Sequence, residues 1–233
     1  MYSGAPGWAG PVIHALTEAG AAVALAAASP EAVPPDPGHQ VASLLEGPFN
    51  NAGAVEAAIG RVIQRLGRFD ILVNLPQPEL FQPASEVSDE AFSGLFGRNV
   101  ASVYRWSRAA GAHMSRQKSG RIITFTSGLS RRGLVNGSAF SMTQAALDAM
   151  TQSLALEWAA AGVRVNGIGY GWVEPARRPL EDQQKERLVR FLPLRRKGHP
   201  DDLAGLLVYL ASDASDFVTG QTIFVDGGAM AHA

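Results

Sequence analysis

The fold is decided by the stretch GRFDILVN at residues 67–74, which joins the end of a helix to a buried strand. Upstream, apolar residues recur at helical spacing over residues 55–66, and Gly67 follows where a left-handed residue commonly closes a helix. Downstream, residues 69–73 are almost continuously apolar, without the alternation of a strand that faces water on one side. Such a strand is typical of a parallel sheet that helices cover on both faces.

The same order of helix and strand recurs along the rest of the chain. Further strands are predicted at residues 21–26, 121–126, 163–168 and 222–225, and further helices at residues 92–115, 139–160 and 201–211. The alternation indicates the α/β class, a Rossmann-like doubly wound parallel sheet with helices on both faces. No repeat or composition break divides residues 1–233, which are expected to form a single domain. Only three residues precede Gly4, so we expect the first strand to be truncated or the true start to lie upstream.

Composition excludes several classes of function. The 233 residues carry a formal net charge of −1 and no cysteine. A balanced charge without a basic stripe argues against nucleic acid as a partner, and the lack of cysteine rules out disulfides, zinc–thiolate sites and a cysteine nucleophile. The spacing of His, Asp and Glu fits no metal site, and no apolar run is long enough for a membrane span. A cytoplasmic protein with a small-molecule substrate is the expectation.

Several short motifs occur in a characteristic order. After GRFDILVN come SGRII at residues 119–123, LASD at 210–213, TGQ at 219–221 and VDGG at 225–228. In this combination the chain resembles the short-chain dehydrogenase/reductase superfamily over nearly its whole length. The resemblance implies a Rossmann-type fold. It also implies a homodimer or homotetramer, because the predicted helices at residues 92–115 and 139–160 match those that form the family's dimer interface.

The resemblance implies a catalytic site that this chain keeps only in part. The family uses a serine, a tyrosine thirteen residues later and a lysine four residues after that, and the matching positions here are Ser127, Phe140 and Gln144. Asn99 matches a fourth site residue. Phe140 has no proton to transfer, and Gln144 has no charge with which to lower the pKa of a neighbour. The usual proton donor for carbonyl reduction is therefore missing.

The family's dinucleotide-binding turn is altered as well. It is matched by Gly4, Trp8 and Gly10, and Trp8 replaces the glycine that lets the backbone approach the pyrophosphate. An aromatic residue at this position is similar to the pattern of halohydrin dehalogenases, which share the fold without the dinucleotide. The sequence therefore predicts that no cofactor is used, with NAD(P) kept as an alternative.

Four residues are candidates for contact with a substrate. Tyr170 and Trp172 follow the carboxyl end of a predicted strand, where ligands bind in this class of sheet. Arg131 and Arg132 follow Ser127, where a loop would rim the pocket and meet an anion. Core packing for the aromatic pair and a solvated loop for the arginines are the competing interpretations.

Three functions stay open at this point. The first is a cofactor-independent lyase, isomerase, cyclase or dehalogenase-like enzyme, in which Ser127, Asn99 and Gln144 donate hydrogen bonds to a substrate oxygen. The second is a catalytically silent subunit that forms a hetero-oligomer with an active homologue. The third is an NAD(P)H-dependent oxidoreductase with an unorthodox site. The sequence favours the first.

Overall fold

The structure, a computed structural model, describes residues 2–3, 7–27, 33, 41–75 and 78–231. Its strands are β1 (Tyr2–Ser3), β2 (Val23–Ala27), β3 (Val41–Glu46), β4 (Ile71–Asn74), β5 (Gly120–Ser127), β6 (Val163–Tyr170) and β7 (Thr222–Val225). Its helices are α1 (Ala9–Glu18), α2 (Ala52–Leu66), α3 (Asp89–Phe96), α4 (Ser102–Gln117), α5 (Ser138–Trp158), α6 (Leu180–Gln183), α7 (Arg187–Phe191) and α8 (Ala204–Ala211).

The strands form one seven-stranded sheet in the order β3-β2-β1-β4-β5-β6-β7. Each ladder between neighbouring strands is parallel. The predicted α/β class and doubly wound parallel sheet are therefore confirmed. β1 has two residues, and Tyr2 pairs with Ala26 of β2 on one side and Asn74 of β4 on the other. This short strand joins the two halves of the sheet.

Alternate residues of a strand face opposite layers of the core. In β4, Leu72 belongs to an apolar cluster with residues of α2, α4 and α5, whereas Val73 belongs to a cluster with residues of α1 and α8. In β5, Ile122 and Ile123 divide between the same two clusters. Both faces of the sheet are thus covered by helices, as the absence of alternation in GRFDILVN predicts.

Helix α2 shows how local sequence sets the bounds of an element. The side chain of Asn51 accepts a hydrogen bond from the Ala54 backbone N–H at 2.9 Å and caps the first turn. At the other end Gly67 adopts a left-handed φ of 81° and closes the helix. Between them, Val55 and Ile59 bury one face against the sheet.

The sequence pattern did not predict α1, α6 and α7, and two further elements differ from the sequence-based expectation. β3 was not predicted, because it is a partly exposed edge strand that mixes apolar and polar residues. The helix expected at residues 92–115 is α3 and α4 joined by a π-helical turn at Gly97–Ala101. That turn carries Asn99, which is fully buried. A π-helical turn inserts an extra residue and changes which side chains face inward, which apolar spacing alone does not reveal.

Two glycines with the same backbone angle give a matched test of packing. Gly67 and Gly162 both have φ of 81°. A Cβ at Gly67 would meet nothing within 4 Å, but a Cβ at Gly162 would collide with the backbone carbonyl oxygen of Lys118. We expect Gly67→Ala to lower the free energy of unfolding by about 1–2 kcal/mol from left-handed strain. Gly162→Ala should lower it by about 1–3 kcal/mol more. Urea unfolding measures both, and equal losses would contradict the packing argument.

Candidate active site

A cavity of about 290 Å³ opens at the carboxyl ends of β5, β6 and β7. Its lining includes Ser127, Tyr170, Trp172, Glu79, Arg132 and Lys197. Ligands of open parallel sheets bind at this edge, since loops that leave the strands meet there. The cavity is therefore the candidate active site.

Ser127 and Tyr170 are the terminal residues of β5 and β6 and pair with each other in the ladder. Paired residues of neighbouring strands direct their side chains to the same face, so both hydroxyl-bearing side chains reach the same part of the cavity. Their exposed fractions are 6% and 5%. The Ser127 hydroxyl accepts a hydrogen bond from the Leu129 backbone N–H at 3.3 Å. Among the described residues the Tyr170 hydroxyl has no hydrogen-bond partner.

The environment of Tyr170 keeps its phenol protonated. Its ring packs against Trp8, with the ring centroids 4.9 Å apart. Burial, and secondarily the charge of Glu79, raises the pKa of Tyr170 above its ordinary value of 10. Burial also raises the pKa of Glu79 above its ordinary value of 4.5. At neutral pH Tyr170 is therefore a hydrogen-bond donor to whatever occupies the cavity.

Gln144 does not face the cavity as a donor, contrary to the expectation from the sequence. Its Oε1 accepts a hydrogen bond from the Ser127 backbone N–H at 2.9 Å, and its Nε2 donates to Thr143 Oγ1 at 3.2 Å. Both ends of the amide are thus engaged within the protein. Gln144 fixes the end of β5 to α5 and so positions Ser127.

Asn99 and Phe140 also lie behind the cavity lining. Asn99 Nδ2 donates to the Pro78 carbonyl oxygen at 3.2 Å and to Thr143 Oγ1 at 3.1 Å. Phe140 is fully buried and packs edge-on against Phe81, with centroids 5.6 Å apart. The expectation that Asn99 polarises a substrate oxygen is therefore corrected, because its donor group is occupied by the protein.

The structure separates the two adjacent arginines. Arg131 Nε lies 3.4 Å from an Asp148 carboxylate oxygen, and its guanidinium lies over the Phe224 ring, so it is not part of the cavity lining. Arg132 lines the cavity, with its guanidinium 5.1 Å from the centroid of the Trp172 ring. The expectation that Arg131 forms the substrate pocket is corrected in favour of Arg132.

An ion-pair network holds one wall of the cavity, which we call the 174–197 wall. Lys197 Nζ lies 3.0 Å from a Glu174 oxygen and 2.7 Å from a Glu186 oxygen. Arg178 pairs with the same two carboxylates. Hydrogen bonds from Arg178, and then from Lys197, hold the pKa of Glu174 below its ordinary value of 4.5. Sequence reasoning missed Lys197 and Glu79, because their roles depend on contacts between distant segments.

Within the described residues, no helix combines the length and apolar character needed to cross a bilayer. The same residues contain no group of three or more His, Cys, Asp or Glu side chains that could hold a metal ion.

Comparison with known proteins decides the family. The model of the enoyl-(acyl carrier protein) reductase family matches residues 6–230. A 2-dehydro-3-deoxy-D-gluconate 5-dehydrogenase of Bacillus subtilis is 35% identical over 69% of this chain and 65% of that protein, so the chain spans slightly less than two thirds of its length. Subunit BbsC of the (2S)-[(R)-hydroxy(phenyl)methyl]succinyl-CoA dehydrogenase of Thauera aromatica is 34% identical over 78% of this chain and 71% of that protein. The chain belongs to the short-chain dehydrogenase/reductase family.

A solved structure of this family agrees with that assignment. The gluconate 5-dehydrogenase from Burkholderia cenocepacia J2315, in complex with NADP and tartrate, covers 100% of this chain and 95% of its own. Its TM-score is 0.84, with 26% sequence identity.

These relatives overturn two expectations drawn from the sequence. A cofactor-independent enzyme was expected, but the relatives are named dehydrogenases. The expectation that no dinucleotide is used is also wrong, because the Burkholderia gluconate 5-dehydrogenase is in complex with NADP. The likeness at Trp8 to halohydrin dehalogenases stays untested by these comparisons.

The described part of the dinucleotide-binding turn fits the phosphate end of NAD(P). Among the described residues, the N-cap residue Trp8 makes no capping hydrogen bond with its side chain, so the first amide groups of α1 suit a pyrophosphate. Gly7 has φ of 78°, and a Cβ there would lie 2.6 Å from Pro175 Cβ, so glycine is required. Gly10 lies in the first turn of α1, whereas Gly4 lies outside the described residues. The sequence alone does not identify Gly7 as part of this turn, because the family spacing points to Trp8 instead.

Trp8 packs into the core. It is 7% exposed and belongs to the apolar cluster of α1 and α8, with its ring 6.1 Å from that of Phe125. The Trp8 side chain is thus directed toward Phe125 and Tyr170, whereas a pyrophosphate would be bound by backbone amides at the start of α1.

The role of Gln144 can be measured against a second glutamine of α5. Gln144→Ala removes the acceptor of the buried Ser127 N–H and should lower the free energy of unfolding by about 1–3 kcal/mol. Gln152→Ala, at an exposed position of the same helix, should change it by less than about 0.5 kcal/mol. Urea unfolding of both variants provides the measurement. A loss at Gln144 no larger than that at Gln152 would show that the bond does not hold β5.

Proposed function

We propose that this chain is an NAD(P)-dependent oxidoreductase that interconverts a small alcohol and the corresponding carbonyl compound. The observation that carries the proposal is the pair of hydroxyl-bearing side chains, Ser127 and Tyr170, side by side in the cavity at the carboxyl edge of the sheet. The names of the relatives, which are dehydrogenases, support the same class of reaction.

The chemistry assigned to the chain's own residues is the handling of one oxygen atom. The dinucleotide, when bound, supplies or accepts the hydride. Reduction of a carbonyl also needs a proton for the oxygen, which Phe140 cannot provide. Tyr170 holds a proton on Oη at neutral pH and has no other partner among the described residues, so it donates to that oxygen. Ser127 Oγ donates a second hydrogen bond, and Gln144 fixes the strand that carries it.

The raised pKa of Tyr170 fixes its protonation state at neutral pH. The phenol then carries the proton that carbonyl reduction needs, whereas alcohol oxidation would need the phenolate as the base.

The test combines binding with turnover. Calorimetry with NADPH and NADH should show saturable binding. Turnover is followed by loss of nicotinamide absorbance, with 5-keto-D-gluconate as the first substrate because a relative in Escherichia coli is named 5-keto-D-gluconate 5-reductase. Tyr170→Phe should lower kcat by about 10²- to 10⁴-fold while dinucleotide affinity is unchanged. Tyr209→Phe, on α8 and outside the cavity lining, is the control and should keep full activity.

Two results would refute this proposal. If neither NADPH nor NADH binds, the proposed class of reaction is refuted. Full activity of Tyr170→Phe would leave the reaction class but remove Tyr170 as the donor.

A second candidate function is a subunit that works only with an active homologue. The observation in its favour is that the residues matching the family's tyrosine and lysine are both buried. Phe140 is 0% exposed and Gln144 is 3% exposed. One relative is named as a subunit of its dehydrogenase. Tyr104 on α4 and Leu156 on α5 are 45% and 85% exposed, which leaves apolar surface for another chain on the two helices.

Coexpression separates the two candidates. The chain would be produced alone and together with an intact short-chain dehydrogenase from the same genome. For the subunit function, the two chains copurify and turnover appears only in the mixture. Turnover by the chain alone, in a homo-oligomer, would exclude the subunit function and retain the first proposal.

A further inference from the structure

We propose that Arg132 binds the carboxylate of the substrate at the exposed end of the cavity. The substrate is then a small hydroxy or oxo acid rather than a neutral alcohol. This inference rests on the proposed function of the cavity and adds to it the chemical class of the substrate and the residue that selects it.

Arg132 is held in place without being neutralised. Its guanidinium stacks 5.1 Å from the centroid of the Trp172 ring, and Nη1 donates to the Ala229 carbonyl oxygen at 3.3 Å. Among the described residues it forms no ion pair with a carboxylate. The side chain is exposed at the cavity lining, so a ligand can reach it.

Three other charged residues of the cavity lining, Lys197, Glu174 and Asp226, already have partners within the protein. Lys197 is paired with Glu174 and Glu186 in the 174–197 wall. The Asp226 carboxylate accepts hydrogen bonds from the backbone N–H groups of Gly228 and Met230, at 2.9 and 2.8 Å. An anionic ligand therefore meets Arg132 as the available cation among the described lining residues.

Glu79 is the remaining charged residue of the described lining. Burial raises the pKa of the Glu79 carboxyl above its ordinary value of 4.5. A carboxyl or carboxylate at this place also suits hydrogen bonds with the hydroxyls of a polyhydroxylated chain.

The arrangement matches a carboxylate in shape as well as in charge. The contact with Trp172 and the hydrogen bond to Ala229 restrain the guanidinium. Among the described residues its other N–H groups have no hydrogen-bond acceptor, so a carboxylate can bind them through two oxygens. Ser127 and Tyr170 lie at the buried end of the same cavity, at 6% and 5% exposure. A ligand that satisfies both ends carries an anionic group at one end and the reacting oxygen at the other.

Arg131 provides the matched control in the neighbouring position. It is also an exposed arginine stacked on an aromatic ring, 5.4 Å from the centroid of Phe224. Unlike Arg132, it is paired with Asp148 and lies outside the cavity lining. Loss of Arg131 removes the same formal charge from the same loop without removing a cavity donor.

The experiment compares a charged ligand with its neutral counterpart. Binding of D-gluconate and of sorbitol is measured by calorimetry on the wild-type chain and on Arg132→Ala, Arg132→Lys and Arg131→Ala. Arg132→Ala should weaken D-gluconate binding about 10- to 100-fold and leave sorbitol binding unchanged. Arg132→Lys keeps the charge without the planar pair of donors and should fall between the wild type and Arg132→Ala. Arg131→Ala should bind both ligands as the wild type does.

Separate results distinguish failure of this inference from failure of the proposed function. The carboxylate site would be overturned, even where NADPH binds, by either of two results. One is equal affinity of Arg132→Ala and Arg131→Ala for D-gluconate. The other is wild-type binding of sorbitol that is as tight as that of D-gluconate. Arg132-dependent D-gluconate binding by a chain that binds no dinucleotide would support the site and refute the reaction. Thermal unfolding of each variant shows whether it is folded, and Arg132→Lys carries the test where Arg132→Ala is unstable.

Discussion

The pairing of β5 with β6 is the constraint on which the site depends. Eight successive residue pairs run in parallel register from Gly120 and Val163 to Ser127 and Tyr170. A shift of one residue in this ladder would turn every side chain to the opposite face, so the register alone sets which groups reach the cavity. On its other side β6 packs closely against β7, where Gly169 leaves room for the Phe224 ring.

The positions that match the family's tyrosine and lysine have become supports for this ladder. Phe140 packs behind Phe81, and Gln144 holds the backbone of Ser127. Thr143 accepts hydrogen bonds from Asn99 and Gln144 and donates to the Phe140 carbonyl oxygen at 2.7 Å, so these residues form one connected network. The network is neutral, which keeps the site in shape without the desolvation cost of a buried lysine.

Much of the fold was predictable because its signals are local. The stretch at residues 67–74 predicts a helix end and a buried strand, and both occur. The π-helical turn that carries Asn99 and the division between Arg131 and Arg132 were not predictable, because each depends on tertiary contacts. The expectation of a cofactor-free enzyme rests on the replacement of the family's site residues by other side chains. The phosphate end of the turn is formed by backbone amides, whose positions cannot be read from residue types.

The 174–197 wall has a consequence for how the cavity and the fold respond to solution conditions. The wall is held by partly exposed ion pairs, whereas the sheet beneath it is held by apolar clusters and by the hydrogen bonds between strands. The lowered pKa values of Glu174 and Glu186 mean that this bracing is present above the ordinary carboxyl pKa of 4.5 and is lost as the pH falls through the lowered values. Dissolved salt weakens the same pairs by screening. Acid and salt therefore weaken the ion pairs of the 174–197 wall directly, whereas the apolar clusters that hold the sheet contain no such pairs.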